Sequence, residues 1–122
     1  MIEGTIIAES LTVGSTLAGI PLTVGEIRRA ELPYDPPAWQ PRIWTGIEFT
    51  ADDSSAEALA SRFAEILGDP GWYVNYCSAA ETFVVYRDKI FRYPRADAEG
   101  RAQAQAYGLE HGVPERQLDW TE

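Results

Sequence analysis

Between Trp72 and Arg95 the chain reads WYVNYCSAAETFVVYRDKIFRYPR, and no other stretch restricts the fold as strongly. Alternation and turn residues divide it into three short strands in succession. A two-residue turn at Asp88-Lys89 sets Tyr86 opposite Phe91 and Val84 opposite Tyr93, all four on one face. Phe83, Val85, Ile90 and Arg92 then share the other face. In the strand before them Trp72, Val74 and Tyr76 point one way, and Tyr73, Asn75 and Cys77 the other. Both faces are largely apolar, so a sheet with one wet side is excluded and each face needs a cover.

The rest of the chain reads as more sheet and as covers. Ile43, Thr45, Ile47 and Phe49 alternate with Trp44, Gly46, Glu48 and Thr50, which predicts a strand with the first set toward the core. A helix follows, with Ser54 as N-cap and Glu57 completing a capping box. Leu59, Ala60, Phe63, Ile66 and Leu67 form its apolar face, and Gly68 and Pro70 end it. Leu22 to Leu32 reads as a strand with a phase error, because Leu22 and Val24 fall on one face and Ile27 on the other; a bulge at Gly25 resets it. Thr5 to Ala8 is expected as a short edge strand. Pro33 to Pro41 holds four prolines in PYDPPAWQP, which makes it a stiff crossover with Trp39 packed down on the fold. Near the C-terminus Asp97 caps a helix to about Tyr107, with Ala98, Ala102, Ala106 and Leu109 as a thin apolar stripe, and Gly108 and Gly112 break the helix. Pro114 opens a last helical turn anchored by Leu118 and Trp120. The expected class is α+β: a mainly antiparallel sheet of five or six strands in the order β-β-β-α-β-β-β-α, part of it mixed by the one helical crossover.

A length of 122 residues is that of a single compact domain, residues 1–122, able to bury a core without metal or disulfide staples. One cysteine, Cys77, permits no internal disulfide and fits a reducing compartment. The start MIEGTIIAESL lacks a basic leader region, and no apolar run reaches the roughly 18 residues of a membrane span. The expectation is a cytoplasmic protein. A net charge of −9 disfavours nucleic acid and anionic lipid as partners, the one basic cluster being Arg87, Lys89, Arg92 and Arg95 around Asp88.

The segments GWYVNYCSAAETFVVY, FRYPRAD and GVPERQLDW, about half of the chain, resemble a group of short bacterial proteins without an assigned activity. The resemblance is strongest at FRYPR and LDW. It implies a compact single domain and carries no catalytic residue over.

No chemistry-bearing constellation emerges from the residues. Cys77 and His111 are the only cysteine and histidine, and a lone cysteine in an aromatic-rich strand is usually a small buried hydrophobe. One of each is too few for a zinc site, no glycine spacing matches a phosphate loop, and no cofactor is called for. Two polar features stand out. Glu48 projects from the face opposite its strand's core set, where Tyr73 and Asn75 would join it in a cleft. Arg92 and Arg95, beside aromatics, suit either a bound anion or the acidic tail through Glu115, Asp119 or Glu122, the tail being favoured.

These residues favour a non-enzymatic binding or interaction module that uses an aromatic-rich sheet face. Its candidate contact residues are Trp44, Glu48, Trp72, Tyr73, Asn75, Tyr76, Arg92 and Arg95. The occupant is a small hydrophobic molecule, a protein partner or a second copy in a homodimer. The alternative is a small enzyme acting on a hydrophobic metabolite with Glu48, Tyr73 or Arg92 in its pocket.

Overall fold

A computed structural model describes residues 1–122. Six strands, β1 (Ile2–Ile7), β2 (Thr23–Glu31), β3 (Ile43–Ala51), β4 (Val74–Cys77), β5 (Glu81–Tyr86) and β6 (Lys89–Pro94), form one sheet in the order β2-β3-β1-β4-β5-β6. Helix α1 (Ala56–Ile66) lies between β3 and β4, and α2 (Ala98–Glu110) follows β6. The expected α+β class and element order are present. Every ladder is antiparallel, so the sheet is not mixed. The crossover through α1 joins β3 and β4, which run in the same direction but are kept apart by β1.

That position is the main departure from expectation, for β1 is a central strand and not an edge. Ile2 and Ile6 are buried on its α1 side. Between them Gly4 hides the alternation from a sequence reading. A Cβ there would lie 2.8 Å from Tyr76 Cβ and 2.9 Å from the carbonyl oxygen of Asn75, so only glycine lets the neighbouring aromatics close over the strand.

Helix α1 covers one face with Leu59, Ala60, Phe63 and Ile66, against Ile2, Ile6, Phe49, Tyr76, Phe83 and Val85. Phe63, Tyr76 and Phe83 meet in tilted and stacked pairs at 6.1 and 5.2 Å. The expected capping box does not form. The helix proper starts at Ala56 after a 3-10 turn over Asp53–Ser55, and it is Asp52 whose carboxylate accepts from Ser54 N–H. Its C-terminus is capped by the β5–β6 turn: Asp88 N–H donates to Ala64 O at 2.9 Å and Arg87 to Leu67 O at 3.2 Å.

That turn is Arg87-Asp88, with Asp88 at φ 60°, and not Asp88-Lys89. Val84 therefore faces Phe91, and Thr82 faces Tyr93. Moving the turn by one residue moves each pairing by two positions, which preserves every facing. Val84, Tyr86, Phe91 and Tyr93 do share one side. In β2 the register shifts between Val24 and Glu26, which sets the expected bulge at Gly25 and brings Val24 and Ile27 onto one face.

Helix α2 covers the second face, but not through its alanine stripe. Ala98, Ala102, Ala106 and Leu109 are all exposed. The face that packs is Gly100, Ala104 and Gly108, spaced by four. A Cβ at Gly100 would sit 2.6 Å from Tyr93 Cβ, and one at Gly108 would sit 2.7 Å from Tyr86 Oη. Gly108 is thus a packing residue inside the helix, and Gly112, at φ 89°, follows its end. The smooth face lets Tyr86 Oη donate to Ala104 O at 2.7 Å. Beyond α2 a C-terminal strap with a 3-10 turn over Glu115–Gln117 lays Leu118 and Trp120 against the same cluster, as expected.

Candidate functional site

Helix α2 and the strap cover β4, β5 and β6 on the second face. The other half, β1, β3 and β2, has no cover there. At the boundary, where the end of β1 meets the starts of β3 and β4, a cleft of about 300 Å³ opens. Thr5 and Ile7 of β1 form its floor, Trp44 and Trp72 one wall, and Tyr73, Arg116, Gln117 and Asp119 the other. Tyr34, Gly71 and Asn75 complete the lining.

The aromatics are held from behind. Trp72 is a hub, with Trp44 at 5.2 Å and Trp39 edge-on at 6.0 Å. Trp39 sits where a side chain on Gly71 would stand, which puts the proline-rich crossover against the fold as expected. Trp44 Nε1–H donates to Pro41 O at 2.8 Å and so fixes its ring. Tyr73 stacks between Trp120 at 5.0 Å and Tyr86 at 5.8 Å, and its hydroxyl donates to Gln117 O. Burial raises the Tyr73 hydroxyl well above the ordinary tyrosine pKa, with a further push from Asp119. It is a fixed donor and not a base at neutral pH.

The polar side of the cleft is less satisfied. Five arginines hold carboxylates, Arg28, Arg42, Arg87, Arg92 and Arg95. Arg116 holds none, and its guanidinium lies over the Tyr34 ring at 4.1 Å. The side-chain amide of Asn75 makes no hydrogen bond within the protein. An unpaired guanidinium and a free amide beside three aromatic faces suit a flat molecule with an anionic or carbonyl group at one end.

The eight residues singled out from sequence are divided by the fold. Trp44, Trp72, Tyr73 and Asn75 meet in the cleft. Glu48 lies farther along the open half, exposed, opposite Thr5 on one side and Glu26 on the other. Tyr76 is fully buried under α1, where its hydroxyl donates to Ala56 O at 2.8 Å. Arg92 lies on the α1 side and pairs with Glu81 and Glu57 at 2.7 and 2.6 Å, not with the C-terminal tail. The direct bonds from Arg92 hold the Glu81 carboxyl below the ordinary glutamate value. Arg95 does take the tail, through Glu122 at 2.8 Å. Glu48, Tyr73 and Arg92 therefore do not converge. Cys77 and His111 are separated as well: Cys77 shares a row of the sheet with Thr82 and Tyr93 near the start of α2, while His111 stacks on Tyr107 at the helix's far end.

Sequence reading missed Tyr34, Arg116, Gln117 and Asp119. Tyr34 belongs to the proline-rich crossover, and the other three to a short turn whose only legible signal was Pro114 with its two apolar anchors. No helix of the chain is long and apolar enough to cross a membrane. No protein-family model, curated protein or solved structure matches the chain.

Proposed function

We propose that the protein is a non-enzymatic binding module that takes a small planar molecule into the cleft between the open half of the sheet and the C-terminal strap. The observation that carries this reading is Arg116, a guanidinium free of any carboxylate beside the Trp44, Trp72 and Tyr73 rings. A volume of about 300 Å³ is at the small end of ligand pockets, enough for one or two fused rings. Aromatic walls supply contact area at little entropic cost, and Arg116 and Asn75 supply orientation. The free thiol of Cys77 fits a reducing, cytoplasmic setting.

Two-dimensional amide NMR with benzoate, indole-3-carboxylate and their neutral carboxamides tests it. The expected result is saturable shifts confined to Asn75, Arg116 and the indole N–H groups of Trp44 and Trp72, larger for the carboxylates. Arg116→Ala should weaken the carboxylates about tenfold and spare the carboxamides, the loss of one charge-assisted contact. Shifts that scatter over the surface, or none at saturating concentration, overturn the reading.

A further inference from the structure

Strand β2 presents a nine-residue edge along which every residue is exposed. Such an edge offers unpaired main-chain donors and acceptors, and monomeric proteins usually blunt it. The opposite edge, β6, is blunted: it carries Lys89, Arg92 and Pro94, a one-signed set with a residue that cannot donate. Strand β2 has no proline, and its charges are balanced, Glu26 and Glu31 against Arg28 and Arg29.

The direction of its free groups follows from the inner ladder. Leu32 N–H donates to Arg42 O at 2.8 Å, in the register that continues as Ala30 with Trp44 and Arg28 with Gly46. Alternation then assigns the main-chain groups of the even residues to β3, and turns those of Ile27, Arg29 and Glu31 outward. Only registers that pair outward residues with outward residues can form across this edge. Centred on Arg28, an antiparallel pairing of two copies sets Arg28 against Arg28. Centred on Arg29 or Glu26 it likewise opposes like charges. Centred on Ile27 it sets Ile27 against Ile27, Glu26 against the other copy's Arg28, and Arg29 against the other copy's Gly25, which has no side chain to obstruct it.

We infer that β2 is a homodimer edge, pairing antiparallel with a second copy about a two-fold axis through Ile27 to make one continuous twelve-stranded sheet. Glu26 and Arg28 already pair within one chain at 2.9 Å. In the dimer they become a ring of four charges alternating in sign, on the face of the open half. On the α1 side the two Ile27 side chains, each 63% exposed in the single chain, cover one another. The Gly25 bulge ends the ladder at a defined point, which fixes the register. The interface is isologous and closes on itself, so it gives a dimer and not a filament.

Light scattering after size exclusion, over a dilution series, reads the outcome against a chain mass of 13.6 kDa. The wild type should run at twice that mass. Arg28→Glu places four acids together and should weaken the dimer at least tenfold. Adding Glu26→Arg to Arg28→Glu reverses all four charges and should restore it. Ile27→Pro removes an outward N–H that β3 does not use, so it should give a monomer whose circular dichroism is unchanged. A wild-type monomer at every concentration overturns the inference. So does a dimer that Arg28→Glu and Ile27→Pro leave intact.

Discussion

Gln40 and Gln117 exchange both amide hydrogen bonds, Gln40 Nε2 donating to Gln117 at 2.9 Å and Gln117 Nε2 to Gln40 at 2.7 Å, across 77 residues of chain. Gln40 is 5% exposed at the end of the proline-rich crossover, and Gln117 sits in the strap beside the cleft. One pair therefore fastens the two segments that bring Tyr34 and Arg116 together. Replacing Gln117 with Leu leaves the buried Gln40 amide unpaired, which costs about 1–3 kcal/mol. The expected result in urea melts is a loss of that size for either single Leu variant, and a smaller loss for the double variant than the two singles summed. Additive losses would show that the amides act independently.

Gly4 gives a second prediction. A methyl group at this position meets Tyr76 Cβ, the Asn75 carbonyl and Phe49, the first two of them rigid. Gly4→Ala should destabilise the protein by roughly 1–3 kcal/mol through overpacking, although alanine is otherwise the better strand residue. Near-ultraviolet circular dichroism should change with it, because Phe49, Phe63 and Tyr76 form one cluster. An unchanged melting curve would mean that β1 shifts outward freely.

Glu9 gives a pH dependence. Where β1 turns into a 3-10 helix, the N–H of Thr45 loses its strand partner, and the Glu9 carboxylate takes the vacant place at 2.6 Å while also accepting from Thr45 Oγ1 at 2.8 Å. Burial by itself raises this carboxyl's pKa. The bonds from Thr45, with a weaker attraction from Arg29, outweigh burial and hold it below the ordinary glutamate value. A folded pKa below the unfolded one means stability that is present above the ordinary value of about 4.3 and is lost as pH falls through the folded value. The expected outcome is that the stability gap between wild type and Glu9→Gln is constant near neutrality and closes in acid. Parallel stability curves down to acid would remove Glu9 from the account. The Glu81 and Glu122 carboxyls, lowered by the bonds from Arg92 and Arg95, titrate on the same side and are common to both proteins.

Both faces of the β4–β5–β6 meander were legible because side-chain parity survives errors of register. The turn was displaced by one residue, yet Val84, Tyr86, Phe91 and Tyr93 stayed together. What escaped were the places where glycine acts as a core residue. Gly4 made a central strand look like an edge, and Gly100 and Gly108 made the buried stripe of α2 look polar. An apolar pattern records what is large and greasy, whereas close approach is built from what is missing. Half of the cleft escaped for another reason. Strand parity puts Trp44, Tyr73 and Asn75 on one face, but it assigns Trp72 to the other; Trp72 lies ahead of β4, which starts at Val74, so the alternation does not govern it and it joins the cleft. Tyr34 and Arg116 reach these residues from segments about 80 residues apart that carry no periodic signal.

Helix α2 supplies a prediction whose sign opposes intrinsic propensity. In an exposed helix, alanine in place of glycine stabilises by about 1 kcal/mol. At Gly100 the new methyl would enter the ring and Cβ of Tyr93, whose hydroxyl is held by Trp120 and by the main chain of Glu122. Overpacking by roughly 1–3 kcal/mol exceeds the propensity gain, so Gly100→Ala should destabilise. Ala102→Gly, on the exposed side two residues away, loses propensity alone and should cost about 1 kcal/mol. The difference also shows in how the loss is distributed. Gly100→Ala pushes α2 off the sheet, so amide exchange should rise in the strap from Leu118 to Glu122 as well as in the helix. Ala102→Gly should raise exchange within the helix only. If Gly100→Ala stabilises, α2 rests on the sheet more loosely than a Cβ distance of 2.6 Å implies, and the smooth face of the helix is not what seats it.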